Sequence, residues 1–360
     1  MDYLQRTRPV SVAATISHDR VAQARYPELF DVAACLARPG VERVARVGTG
    51  LVAVIAVHEC LTPVEQRAIS EYRLHQYVLA GLYDAEKVAR LGLEVDPAVA
   101  QLAPRDIHVA IGDSEGRFLS YVCMQSPIGW KEWMSRQADQ PARYPLMGDP
   151  DRLEFPTESE YGMHIFGKHP GLRMLPVANV REFIRLVRNQ AIRVPADLFA
   201  VAEVVVAVAK VILNPTHQIE ALIGAASPRV RKMLFSFGIP FAYAPSAPIV
   251  GDNLGGEIGD ETLWTSDSHK PGRFWPLILS TSDAQLDASF YREADRVLAL
   301  PLDELAQELD TLRAVELRRQ PRHAVDAREY GSVLWTGNPF YTEPDAEEQV
   351  APITSRASHA

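Results

Sequence analysis

Between Phe199 and Leu213 the chain stays apolar for fifteen residues, interrupted only by Glu203 and Lys210. The usual strand is about five or six residues long, so this segment is too long to be one despite its many β-branched valines. It is also too short and too charged to cross a bilayer, which takes about 20 apolar residues. A helix buried on most of its surface is what remains. Asp197 is placed to cap it, and Asn214-Pro215 to end it. Such a helix needs a sheet or other helices around it, and the neighbouring sequence supplies strands.

Before it, Val180 to Val187 alternates in the period of a strand. Val180, Glu182, Ile184 and Leu186 fall on one face, and Arg181, Phe183, Arg185 and Val187 on the other. After it, Gln218 to Gly224 reads as a strand. Ser227-Pro228 then opens a helix over Arg229 to Phe237, which Gly238 closes, and Ile239 to Val250 and Phe274 to Ser280 read as further strands. Ser282 to Gln320 reads as helical, with Leu302, Leu305, Leu309 and Leu312 on one stripe that faces its own domain.

Upstream, Val41 to Val57 is strand-rich around a Gly48-Thr49-Gly50 turn. Thr62-Pro63-Val64-Glu65 carries the N-cap, first-turn proline and acidic residue of a helix start running towards Tyr83. Ile107 to Ile111 and Phe118 to Cys123, joined by Gly112-Asp-Ser-Glu-Gly116, form a β-hairpin. Residues 126–160 are rich in Pro, Asp and Trp and read as an insertion over the core. The expected organisation is an N-terminal extension over 1–40, a core over 41–281, a helical segment over 282–341 and a polar tail over 342–360.

A net charge of -9 argues against a broad nucleic-acid surface, which needs clustered Lys and Arg. The expectation is a cytoplasmic chain: no stretch is long and apolar enough to span a membrane, and the N-terminus has no unbroken apolar leader. Cys35, Cys60 and Cys123 form no CxxC pair and read as buried thiols in a reducing compartment. No metal is expected. His164 and His169 have no carboxylate or thiol at ligand spacing, His58-Glu59-Cys60 is not a HExxH motif, and Gly255-Gly-Glu-Ile-Gly259 lacks the strand and helix of a dinucleotide fingerprint.

The element order helix, hairpin, long strand, helix, strand, helix, strand, strand resembles the GNAT acyltransferase superfamily. Within it the chain is similar to acyl-homoserine lactone synthases and long-chain N-acyl amino acid synthases. The residues carrying this likeness are Arg73 in an early helix, Glu94-Val-Asp96 before the hairpin, and Glu182-Phe-Ile-Arg185 on the long strand. Where those synthases place Arg-Leu on the second hairpin strand this chain has Ser120-Tyr121-Val122, and Val99 replaces a second Asp. Asn189-Gln-Ala-Ile-Arg-Val-Pro195 contains none of the glycines of the usual pyrophosphate loop.

The resemblance implies a mixed, mostly antiparallel sheet flanked by helices, and transfer of an acyl group from an acyl-thioester to the amine of a small acceptor. The donor is acyl-CoA or an acyl-phosphopantetheine on an acyl-carrier protein, used as co-substrate with no tightly bound cofactor. The implied catalytic elements are Glu182 and a backbone N–H near Leu186 or Val187 on a splayed strand. Arg73, Glu94, Asp96 and Arg185 are the substrate-binding candidates. Arg188, Arg193, Arg229, Arg231 and Lys232 form a basic cluster for a phosphate, a pyrophosphate or an acidic carrier helix. Each has a plainer reading: a strand Glu paired with an Arg, a solvated basic face, or surface acids in a loop. Thioester hydrolysis or decarboxylation on the same fold, and a non-catalytic acyl-ligand module, remain alternatives, and oligomeric state is open.

Overall fold

The computed structural model describes residues 16–32, 38–98, 102–127, 155, 175–192, 197–243, 257–258, 261–263, 265, 275–280 and 286–319. Two short helices, α1 (His18–Gln23) and α2 (Pro27–Phe30), precede strands β1 (Val41–Ala45) and β2 (Leu51–Val57). Helix α3 (Pro63–Leu79) follows a single 3-10 turn at His58–Cys60. It starts as its sequence dictates: the Thr62 side chain accepts from the Glu65 N–H, and the Glu65 carboxylate accepts from the Thr62 N–H. It ends at Leu79, and a separate helix, α4 (Ala85–Arg90), is capped by Asp84.

The hairpin is β3 (Ile107–Asp113) and β4 (Phe118–Gln125), and the long strand is β5 (Val180–Arg188). Then come α5 (Asp197–Leu213), β6 (Ala221–Ala226), α6 (Pro228–Phe235), β7 (Ala242–Tyr243), the small pair β8 (Glu257–Ile258) and β9 (Glu261–Thr262), and β10 (Trp275–Ser280). Two helices, α7 (Ala288–Leu298) and α8 (Leu302–Arg319), close the described chain.

Eight strands form one sheet in the order β1-β2-β3-β4-β5-β6-β10-β7, antiparallel except for β5 beside β6. This is the mixed, mostly antiparallel sheet expected from the sequence. On one face α5 packs with α7 and α8 over Leu51, Val109, Val122 and Leu277, and Leu305 and Leu309 reach the same core, so the leucine stripe packs inward. On the other face α2 and α3 cover Val52, Val54, Tyr121 and Cys123, with Tyr72 stacked on Phe118 at 3.7 Å between ring centroids. Among the described residues no helix is long and apolar enough to cross a membrane.

The charges that interrupt the α5 apolar run have partners. Glu203, 1% exposed, accepts from Arg46 Nε at 2.9 Å and Nη2 at 3.1 Å, and Lys210 meets Asp295 at 2.8 Å. Arg46 also reaches Asp295 at 2.5 Å, so one ion network ties the end of β1 to α5 and α7.

Several local expectations need correction. The 282–320 segment is two helices, because Pro301 has no N–H to continue α7. Strand β6 begins at Ala221 because Pro215–His217 forms a 3-10 turn and Gln218 adopts a left-handed conformation at φ 51°. The helix after Ser227 ends at Phe235, and Gly238, at φ +76°, turns the chain back as its position predicts. Cys123 is buried but Cys60 is half-buried. Most of the 126–160 segment, Cys35, His164, His169, residues 244–250, most of 255–259 and the tail lie outside the described residues.

Two histidines on the α3 side of the sheet set a pH dependence. Burial pushes His75 down to about 4, and burial with the nearby His58 and Arg73 holds His108 well below the ordinary imidazole range. Both are therefore neutral in the fold, whereas the unfolded chain protonates them near pH 6.5. Their contribution is complete above the unfolded value and is lost as pH falls below it; for His75 the loss runs down to about pH 4, at about 1.4 kcal/mol per pH unit. Urea unfolding between pH 7.5 and 5 should follow that sign, and His75→Gln should reduce the slope.

Candidate active site

The site forms where β5 leaves β6. The two strands pair in parallel only through Val180↔Ala221, Arg181↔Leu222 and Glu182↔Ile223. Beyond that point β5 continues to Arg188 and β6 to Ala226 without pairing, while β5 stays on β4 as far as Ser120↔Arg188. A wedge therefore opens between adjacent strands, as expected for the segment centred on Ile184.

Its apex is tight: a methyl group built on Gly224 would lie 2.5 Å from the Phe183 carbonyl oxygen, closer than real contacts allow. Gly224→Ala should force the strands further apart and cost about 1–3 kcal/mol, measurable as a lower urea midpoint.

A bulge sits beside the opening. Between Cys123↔Ile184 and Tyr121↔Val187, β5 uses one residue more than β4, and Arg185 takes up the difference at φ 66°. This corrects the strict alternation expected from sequence. Phe183 and Leu186 now pack on the α5 side, and Ile184 and Val187 on the α3 side, a spacing of three across the bulge. Arg185 is swung towards Tyr77 on α3 and Asp96.

There it meets Arg73 and Asp96. Arg73 projects from α3, and both it and Asp96 are fully buried. Asp96 Oδ2 accepts from Arg73 Nε at 2.9 Å, lies 2.8 Å from Arg73 Nη2, and accepts from Arg185 Nη1 at 3.2 Å. Asp96 Oδ1 accepts from the Tyr83 hydroxyl at 3.2 Å and the Ala98 N–H at 3.0 Å. Arg185 Nη1 also donates to the Tyr77 hydroxyl at 3.2 Å, with its guanidinium 5.4 Å from that ring's centroid. Despite burial, the two guanidiniums hold Asp96 below the ordinary carboxylate range. Arg73 Nη1 and Arg185 Nε are buried without a hydrogen-bond partner among the described residues.

Arg73, Asp96 and Arg185 are thus brought together, while other candidates go elsewhere. Glu94 is exposed and pairs with Arg67 at 2.6 Å, away from the buried centre. Glu182 is fully buried at the wedge apex, opposite Gln125 and Ile223. Arg231 is buried and donates from Nε to the Phe241 carbonyl at 2.8 Å, bracing the turn after α6. Arg188 is half-buried at the end of β5; Arg193 and the side chains of Arg229 and Lys232 lie outside the described set. Among the described residues no group of three or more His, Cys, Asp or Glu is placed to hold a metal.

Sequence reasoning missed a second feature of the same face. His58 Nδ1 lies 3.0 Å from His108 Nε2, and His108 Nδ1 lies 2.7 Å from the Tyr121 hydroxyl. Only the pairing of β2, β3 and β4 assembles them.

No protein-family model matches the chain, and no curated protein does. Among solved structures it is similar to FeeM, an N-acyl amino acid synthase from uncultured soil microbes, at 14% identity and a TM-score of 0.37, covering 65% of this chain and 92% of that one. It is similar also to TofI, solved in a ternary complex with an inhibitor and MTA, at 14% identity and a TM-score of 0.35, covering 66% and 98%. The chemical reading rests on the geometry of the site itself.

Proposed function

We infer that the protein transfers an acyl group from a thioester, carried by coenzyme A or by an acyl-carrier protein's phosphopantetheine, to the amine of a small acceptor. The observation that carries this reading is the wedge: two neighbouring parallel strands that part after Glu182 and Ile223, beside a bulge. A parted pair leaves main-chain donors without a strand partner, and an extended thioester arm can take the place of the missing strand.

The Asn189 N–H donates to Leu119 on β4. Strand alternation then directs the Val187 N–H to β4 and the Leu186 N–H into the wedge. Leu186 is therefore the proposed donor to the thioester carbonyl, stabilising the oxygen as charge develops on it. On the α3 side, the open Nη1 of Arg73 suits an anionic group of the acceptor, such as a carboxylate, while Asp96 and Arg185 fix the Arg73 fork. Glu182 is proposed to orient the acceptor through a bound water, and Arg188 to meet the donor's phosphate.

The test is thiol release from decanoyl-coenzyme A with and without a mixture of amino acids. Amine-dependent release with an acylated product supports transfer. Amine-independent release points to hydrolysis, and binding without release to a ligand module. Glu182→Gln should lower amine-dependent turnover about 100-fold. Unchanged turnover would remove Glu182 from the reaction.

A further inference from the structure

Aminolysis of a thioester by an ammonium-bearing acceptor must dispose of protons. The new C–N bond forms as the C–S bond breaks, the amide keeps one of the three nitrogen protons, the leaving sulfur takes another, and the third must leave the site. The protein buries the surroundings of this reaction thoroughly: Arg73, Asp96 and Tyr121 are all 0% exposed. A proton released there needs a path.

We propose that Tyr121, His108 and His58 form that path, carrying the acceptor's surplus proton from the β5 bulge to the protein surface. The proposal rests on the acyl-transfer reading for the proton's source, and on geometry for its route. Tyr121 pairs with Val187, next to the proposed carbonyl donor, and its side chain lies on the α3 side with Ile184 and Val187. Its hydroxyl is 2.7 Å from His108 Nδ1, and His108 Nε2 is 3.0 Å from His58 Nδ1. Tyr121 and His108 are buried, 0% and 1% exposed, whereas His58, in the 3-10 turn after β2, is only partly buried. The line therefore crosses β4, β3 and the end of β2 and stops at solvent.

The transfer balances without any other reagent. Tyr121 accepts the nitrogen's proton as its own hydroxyl proton passes to His108 Nδ1. The His108 Nε2 proton passes to His58 Nδ1, and His58 releases its Nε2 proton to water. Tyr121 touches the acceptor; His108 and His58 are positioning residues that act through it.

The surrounding groups favour a neutral line. Burial, and then Arg73 from α3, oppose a positive charge on both imidazoles, and burial keeps the Tyr121 hydroxyl protonated, with Arg73 and Arg185 acting the other way. Cys123 adjoins the Tyr121 hydroxyl, and burial with nearby Asp106 pushes its thiol up to about 12, so it stays protonated and does not compete as a base. The His58 backbone N–H donates to the Asp106 carbonyl, and the Gln66 side chain donates to the His58 carbonyl, which anchors the outer end.

Two measurements on the full chain test the route. In the free protein, NMR should find the His108 ring N–H exchanging with water faster than global unfolding allows, and His58→Phe, which plugs the outer end, should slow that exchange at least about tenfold. With decanoyl-coenzyme A and amino acids, His58→Ala should lose about 100-fold in kcat with little change in KM or Tm, and added imidazole should restore it. The acid limb of the wild-type pH profile should vanish in His58→Ala.

Exchange that is equal in wild type and His58→Phe overturns the route whatever the turnover assay gives. Slowed exchange in a protein that never acylates an amine leaves the route standing and overturns acyl transfer. Turnover unaffected by His58→Ala, or lost without imidazole rescue, also overturns the proposal.

Discussion

Asp96→Ala is expected to destabilise the protein by about 3–5 kcal/mol and to abolish detectable turnover. Asp96 is the carboxylate shared by Arg73 and Arg185, and all three side chains are nearly or wholly withdrawn from water. Removing it leaves two guanidiniums facing each other in a medium that screens them poorly, strands the Ala98 N–H and takes an acceptor from the Tyr83 hydroxyl. Asp96→Asn keeps the shape and one of the two acceptor oxygens, so its stability loss should be smaller while turnover still falls, because the Arg73 fork loses its fixed orientation. Urea unfolding and thiol release together separate the two effects. An Asp96→Ala protein with wild-type stability would mean that this ion cluster is not formed in solution.

The second large effect is expected at the other end of the sheet. Arg46→Leu should cost about 3 kcal/mol, because Glu203, buried in the middle of α5, loses its two-pronged partner. Burial already holds the Glu203 carboxyl above its ordinary range, with Arg46 opposing that rise. Without Arg46 the carboxyl rises further. A raised folded-state value stabilises the protonated form, so the variant's deficit should be smallest near pH 5 and grow as pH rises to 8. Adding Glu203→Leu removes the stranded charge, and the double variant should recover most of the loss at every pH. Denaturant midpoints at pH 5 and 8 decide this.

What could be read directly from the sequence was whatever local chemistry decides. Thr62-Pro63-Val64-Glu65 announces α3 because the capping box satisfies its own end, and the length of the Phe199–Leu213 run outweighs its β-branched propensity. Arg73, Asp96 and Arg185 were recognisable through the order in which they occur, and the fold joins them at one point. Glu94 and Asp96 look alike in sequence, yet two residues along a loop separate an exposed carboxylate paired with Arg67 from a buried one. Arg231 shows charge alone, and its hydrogen bond to a backbone carbonyl ten residues on is not written in that charge.

The bulge was illegible for a physical reason. A left-handed residue in a strand is ordinarily Gly or Asn, and Arg at 185 gives no such signal, so simple alternation puts Arg185, Leu186 and Val187 on the wrong faces. The His58–His108–Tyr121 line was hidden by distance, since its members lie 50 and 13 positions apart and become neighbours only through strand register. Arg46 and Glu203, 157 positions apart, were hidden in the same way.

The central claim is that the gap between β5 and β6 is a seat for an acyl-thioester arm, and amide exchange at Leu186 tests it most directly. In the free protein that N–H should exchange far faster than those of β5 residues held on β4. Saturation with a decanoyl-pantetheine analogue whose sulfur ester is replaced by a stable ketone should slow it. A Leu186 amide already protected in the free protein, or one indifferent to the analogue, would contradict the account.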